Sequence, residues 1–254
     1  MAGSYPYDTF LQDNIPDWCC PACLNASLEM VPDSFVSQLS AFSRENRREQ
    51  WYEAEHEVYV FSCMLQCNRR TCLESVAVSG CGKGEVDKED TTGESAFYVL
   101  YQAKSFVPPL PVFTIPRKCP EEIRRQLNMV SALLPLSENS AVNAMRITLE
   151  LLLDELRAPR ETTDLHPQRI PLARRIQDNR DMLGAHFEKF EAIKDLGNHG
   201  SHTDGPIRRS HIEGACRLLD HLVHQLFGHT PDHSKLVTTL KSTYGRKPKG
   251  ACKT

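Results

Sequence analysis

Hydrophobic residues follow two rhythms along this chain, and the change between them divides it. In the second half they recur at helical spacing. Val142, Met145, Leu149, Leu152, Leu153 and Leu156, within residues 137–158, share one face that must meet a core. Ile212, Ala215, Leu218, Leu219, Leu222, Val223, Leu226 and Phe227 do the same in a last long helix, which Gly228 stops. Ser210-His211-Ile212-Glu213 has capping-box spacing at its start. Pro120-Glu121-Glu122 opens an earlier helix, with proline in the first turn and acids at the positive dipole end. Shorter helical patterns cover 171–183 and 185–196, and 159–170 reads as a polar loop. Arg146 and Glu150, four apart, predict an intrahelical ion pair. Several helices with narrow apolar faces and short links predict a bundle.

Before residue 117 the rhythm is that of strands. Residues 57–62, 75–80 and 96–101 are short β-rich runs, the first two flanking a hairpin. Val31 to Tyr52 is a charged excursion, expected to be partly helical. Cys81-Gly82-Lys83-Gly84 begins what reads as a polar turn to Gly93, and it lacks the frame of a phosphate loop. Pro108, Pro109, Pro111 and Pro116 force an extended connection, and the module boundary is expected at 116–120. Pro6 and Pro16 break any pattern in residues 1–17, which read as a loosely held leader. The expected division is therefore a leader 1–17, a β module 18–116, a bundle 117–230 and a basic tail 231–254.

The cysteines add chemistry. Cys20 and Cys23 are two residues apart with Pro21 stiffening the turn, and Cys67 and Cys72 form a second knuckle within the expected hairpin. Four thiolates at two knuckles suit tetrahedral Zn2+, and a closed set of this kind is structural, with no position left for water or substrate. This excludes zinc hydrolysis at the same site. Cys19 and Cys63 compete as ligands, and reduced cysteines packed as small apolar groups are the alternative.

Composition sets limits. Of 254 residues, 40% are hydrophobic and 25% charged, as in globular proteins, and a net charge of −3 argues against mass electrostatic binding of a polyanion. Ten acids against three arginines occupy residues 1–62, whereas Lys235 onward is basic without an acid. That end reads as a solvated terminus. No apolar run reaches the ~18 residues that span a bilayer, so no membrane partner is expected. Ten cysteines with CxxC spacing and no basic-then-apolar start point to a reducing cytoplasm. His221, His224, His229 and His233 read as solvated surface.

One polar stretch stands out in the helical half: Asp195-Leu196-Gly197-Asn198-His199-Gly200-Ser201-His202. It reads as a loop or helix end, with Gly197 either stopping a helix or letting other groups approach.

The two knuckles, the run Glu74–Gly80, the proline-rich strand and Leu196-Gly197-Asn198 with His202 together resemble a bacterial family of unknown function. The resemblance covers roughly residues 18–228. Members occur alone behind a zinc ribbon and also fused to restriction-endonuclease subunits. The helical part is similar to the HEPN superfamily, bundles that often act as metal-independent ribonucleases through Arg-x(4–6)-His. The resemblance implies an α+β fold, an N-terminal zinc ribbon with short antiparallel strands ahead of a HEPN-like helical bundle. It implies RNA, DNA or a restriction or defence protein as partner, and a homodimer. If His202 takes the superfamily histidine's place, Gly197 takes the arginine's, and glycine cannot stabilise charge on a phosphate. Arg160 with His166, Arg180 with His186 and Arg217 with His224 also fit the loose spacing. Two readings follow. One is a non-enzymatic zinc-binding interaction module. The other is a ribonuclease with His202 as acid or base, Asn198 orienting phosphate, and Lys194 or Arg146 supplying the cation.

Overall fold

The computed structural model describes residues 4–88, 95–163, 165–202 and 207–228, with backbone alone at 88, 95 and 200–202. The architecture is mixed α+β, an antiparallel sheet followed by helices. Strands β1 (Thr9–Phe10), β2 (Leu28–Met30), β3 (Val36–Leu39), β4 (Val58–Cys67), β5 (Ser75–Lys88) and β6 (Ser95–Val107) form one sheet in the order β1-β6-β5-β4-β2, with β3 also on β4. Helix α1 (Ala41–Asn46) lies between β3 and β4, so the charged excursion holds a strand and a short helix.

The strands are longer than the short runs expected. Along β4, alternate residues Phe61, Cys63, Leu65 and Cys67 turn inward, and the neighbours between them face out. β5 runs through the stretch 81–88 that reads as a turn, which corrects that expectation. The glycines that suggest a turn are inward positions of the strand. A Cβ at Gly82 would run into Tyr101 and Val99, and one at Gly84 into the Ala54 carbonyl and the Phe97 ring. At Gly80, where the expected strand ended, a Cβ would meet the Gln102 carbonyl and the Phe61 ring. Rings from neighbouring strands fill the space that side chains on β5 would otherwise occupy.

Residues 4–17 are not a loose leader. Phe10 enters the sheet through β1 and packs edge-on against Trp18 and Phe61, with ring centroids 5.3 and 5.6 Å apart. Tyr7 belongs instead to the helical core and is 2% exposed. Its hydroxyl donates to Glu213 at 3.0 Å, and the Arg209 guanidinium sits 5.1 Å over its ring. Prolines confine regular structure here to the two-residue strand β1 without excluding burial.

The helices are α2 (Glu121–Leu133), α3 (Glu138–Glu155), α4 (Leu172–Asp178), α5 (Arg180–Leu183), α6 (Phe187–His202) and α7 (Arg209–Phe227). Ser137 caps α3, accepting the N–H of Ser140. The apolar face of α3 is fully buried at Met145, Leu149, Leu152 and Leu153, and α2 and α6 both pack against it. Truncating one such leucine to alanine costs about 2–5 kcal/mol. At the C-terminal end of α3, Asp154 accepts Arg175 at 2.7 Å and Arg160, fastening the polar loop and α4.

Three local expectations are corrected. Glu150 pairs with Arg169 at 2.6 Å rather than with Arg146. Ser210 lies inside α7, whose N-cap is Arg208 without a side-chain cap, so the capping box does not form. Most importantly, α6 continues through Gly197 to His202, so the glycine–asparagine stretch is the helix end and not the loop of the two readings, and Gly197 does not stop the helix. The basic tail, with His229 and His233, lies outside the described residues. No helix among the described residues is long and apolar enough to cross a membrane.

Candidate metal centre and the glycine–arginine contact

The first knuckle is a tight loop closed by an isolated bridge between Cys19 and Ala26 and by the Cys20 N–H donating to Asn25 O at 2.8 Å. The second is the β4–β5 connection, where Cys67 N–H donates to Glu74 O at 2.8 Å. Each knuckle turns by the same device. The residue after its second cysteine, Leu24 or Leu73, has φ near +59° or +53°, and its N–H returns to the carbonyl of Cys20 or Arg69. This left-handed step is rare for a leucine.

The device aims backbone donors at sulfur. Backbone N–H groups favour the thiolate at each sulfur: those of Cys23 and Ala22 at Cys20, that of Asn25 at Cys23, that of Arg69 at Cys67 and that of Glu74 at Cys72. The Ser27 hydroxyl adds a contact to Cys67 Sγ at 3.1 Å. Asn25 above all holds the Cys23 thiol down to about 5, whereas burial pushes Cys20 up to about 12. Donors that point at sulfur favour thiolates, the form that binds metal.

The four sulfurs of Cys20, Cys23, Cys67 and Cys72 lie within 4.8 Å of one another. Cys20 and Cys72 are 3.6 Å apart, and Cys23 and Cys67 3.8 Å apart. A tetrahedron with metal–sulfur bonds of ~2.3 Å has edges of about 3.8 Å, so the spacing fits Zn2+ and is far too long for disulfides. Four cysteines set this way could hold a metal ion. Cys63 is not among them: it faces inward on β4 opposite Val78, within the sheet core. Cys19 also stands outside the set.

In the helical half the structure brings Arg146 of α3 against Gly197 of α6. A Cβ at 197 would collide with Cγ and Cδ of Arg146. The arginine arm therefore crosses the helix where a side chain would be, with its Nε buried, one residue from half-buried Asn198. The side chain of His202 lies outside the described residues. Lys194 is 9% exposed, with Nζ 2.8 Å from Glu191 and 3.1 Å from Asp195. Its ammonium is thus paired with two carboxylates of α6. Helical spacing alone cannot show the Arg146–Gly197 contact, because it joins two helices distant in sequence.

Residues 8–110 match a family described as a domain of unknown function (DUF8608), and this stretch holds all four cysteines. Residues 128–243 match a second domain of unknown function (DUF4145), which holds Arg146 and Gly197. No curated protein and no solved structure matches the chain.

Proposed function

We propose that this chain is a zinc-stabilised interaction module without catalysis at the metal, in which Zn2+ on Cys20, Cys23, Cys67 and Cys72 fixes the β module. A HEPN-like helical bundle, paired as a homodimer, then presents a surface to RNA, DNA or a restriction or defence protein. The four-sulfur cluster carries this reading. Four thiolates complete a tetrahedron, so the ion supplies folding energy and its ligands leave no place for substrate. The test combines metal analysis of protein purified without chelator, light scattering for the dimer, and filter binding to single-stranded RNA and duplex DNA across salt. Zinc, a dimer and salt-sensitive retention are expected. Metal-free, folded, monomeric protein that retains neither nucleic acid sinks the proposal.

A second reading, a metal-independent endoribonuclease, is favoured by one contact. The HEPN resemblance puts Gly197 in the arginine's place, and Arg146 delivers its arm to that position from α3. Arg146 would then stabilise charge on the scissile phosphate, Asn198 would orient it, and His202 would move the proton. RNA cut in the presence of EDTA, with cutting abolished by His202→Ala and Arg146→Ala at unchanged melting temperature, is the expected result. Intact RNA after prolonged incubation sets this reading aside.

A further inference from the structure

A cleft of about 530 Å³ opens where the first knuckle, the connection between the two halves and the last helix meet. That is a size suited to a small organic ligand. Its two walls differ in chemistry. On one side α7 contributes Arg217, Asp220, His221 and His224, spaced so that all four share one face of the helix. On the other side stand Tyr5 and Pro6 of the N-terminal arm and Leu110, Pro111 and Val112 of the connection. His221 and His224, which read from sequence as solvated surface, are exposed and also line this open cleft.

The polar wall is set for an anion. Asp220 is its carboxylate, and its Oδ1 already accepts the Thr114 N–H at 3.0 Å, which ties the connection to α7. The same oxygen lies 4.0 Å from His224 Nε2, so the imidazole is oriented along the cleft wall beside it. Arg217 donates from Nε to Glu213 O at 3.4 Å and from Nη2 to Glu213 Oε2 at 3.5 Å, and it faces the Tyr5 hydroxyl across the cleft. The two Glu213 contacts are long and its side chain is 72% exposed, so its planar fork can turn to a phosphate. The apolar wall is flat. The Tyr5 ring stacks on Tyr7 with centroids 5.3 Å apart and planes 10° from parallel, so the arm is held rigid behind it.

We propose that this cleft binds a small aromatic phosphate monoester of the nucleoside monophosphate class, its flat body against Tyr5, Leu110 and Pro111 and its phosphate against Arg217, His221 and His224. A ligand with one apolar face and one dianionic end matches walls that separate those properties. Neither free phosphate nor an uncharged nucleoside uses both.

The experiment titrates the full zinc-loaded chain with AMP, GMP, CMP and UMP, followed by calorimetry and by the ring resonances of His221 and His224. Adenosine and inorganic phosphate are run as separate arms. At least one nucleotide is expected to bind and shift both imidazoles, with its nucleoside and phosphate each at least tenfold weaker. Arg217→Ala should weaken the nucleotide tenfold or more and leave the nucleoside unchanged. His224→Gln, a milder surface change, should weaken it severalfold at an unchanged melting temperature. The proposal fails if no nucleotide moves the two imidazoles, or if binding survives Arg217→Ala and His224→Gln undiminished.

Discussion

Arg146 and Gly197 occupy one another's space: the arginine arm lies where any side chain at 197 would have to be. Alanine in a helix interior ordinarily gains about 1 kcal/mol over glycine. Here overpacking outweighs that gain, and Gly197→Ala is expected to lose about 1–3 kcal/mol in urea unfolding. Shortening the neighbour relieves the collision, so Gly197→Ala with Arg146→Ala should be more stable than Gly197→Ala alone. Simple additivity in this double-mutant cycle would show that the two side chains do not meet.

The cysteine cluster separates ligands from bystanders. Cys20→Ser is expected to abolish zinc binding and unfold the β module, because the binding energy of such a site is folding energy. Cys63→Ala should retain the metal in full and lose only about 1 kcal/mol. Metal analysis with circular dichroism checks both. Full zinc in Cys20→Ser, or none in Cys63→Ala, would reassign the ligands.

His186 gives a pH dependence. Burial, with smaller contributions from Lys189 and His221, holds its imidazole below the ordinary 6.5, and its Nδ1 is buried without a hydrogen-bond partner among the described residues. The unfolded chain therefore takes up the proton first. The resulting stability is present in full above pH 6.5 and lost as pH falls through the lower folded value. Unfolding free energy should drop more steeply from pH 7 to pH 5 in the wild type than in His186→Leu. Parallel slopes would remove His186 as the cause.

Arg175 is 3% exposed, and its guanidinium donates to Asp154 and to the carbonyls of Pro159 and Ala158. Asp154→Ala leaves that charge buried without its carboxylate and should cost about 3 kcal/mol. Arg160→Ala removes only the exposed partner and should cost no more than about 1 kcal/mol. Chemical denaturation distinguishes them, and equal losses would show that burial does not set the difference.

The sequence made some of this legible and hid the rest for identifiable reasons. The apolar faces of α3 and α7 followed from spacing, because a buried helix face leaves a period in one dimension. The knuckles did too, because two thiolates on one ion need a short separation. β5 did not, since its inward glycines make room for Phe61 and Tyr101, residues of other strands. The end of α6 was hidden in the same way. Gly197 and Asn198 disfavour helix locally, and the close crossing with Arg146 that explains Gly197 is a tertiary fact. Ser210 failed as a cap because the chain enters α7 two residues earlier, with Arg208 at the N-cap, while Glu213, its expected partner, accepts the Tyr7 hydroxyl.

Tyr7 and Phe10 sit one short step apart on the same arm, yet each fills a hole in a different half of the molecule. That arm works as a shared rivet. Melting either half must withdraw the ring that plugs the other, so heat should undo both in one cooperative transition. Cutting the chain after Phe10 would leave two half-empty interiors that loosen independently.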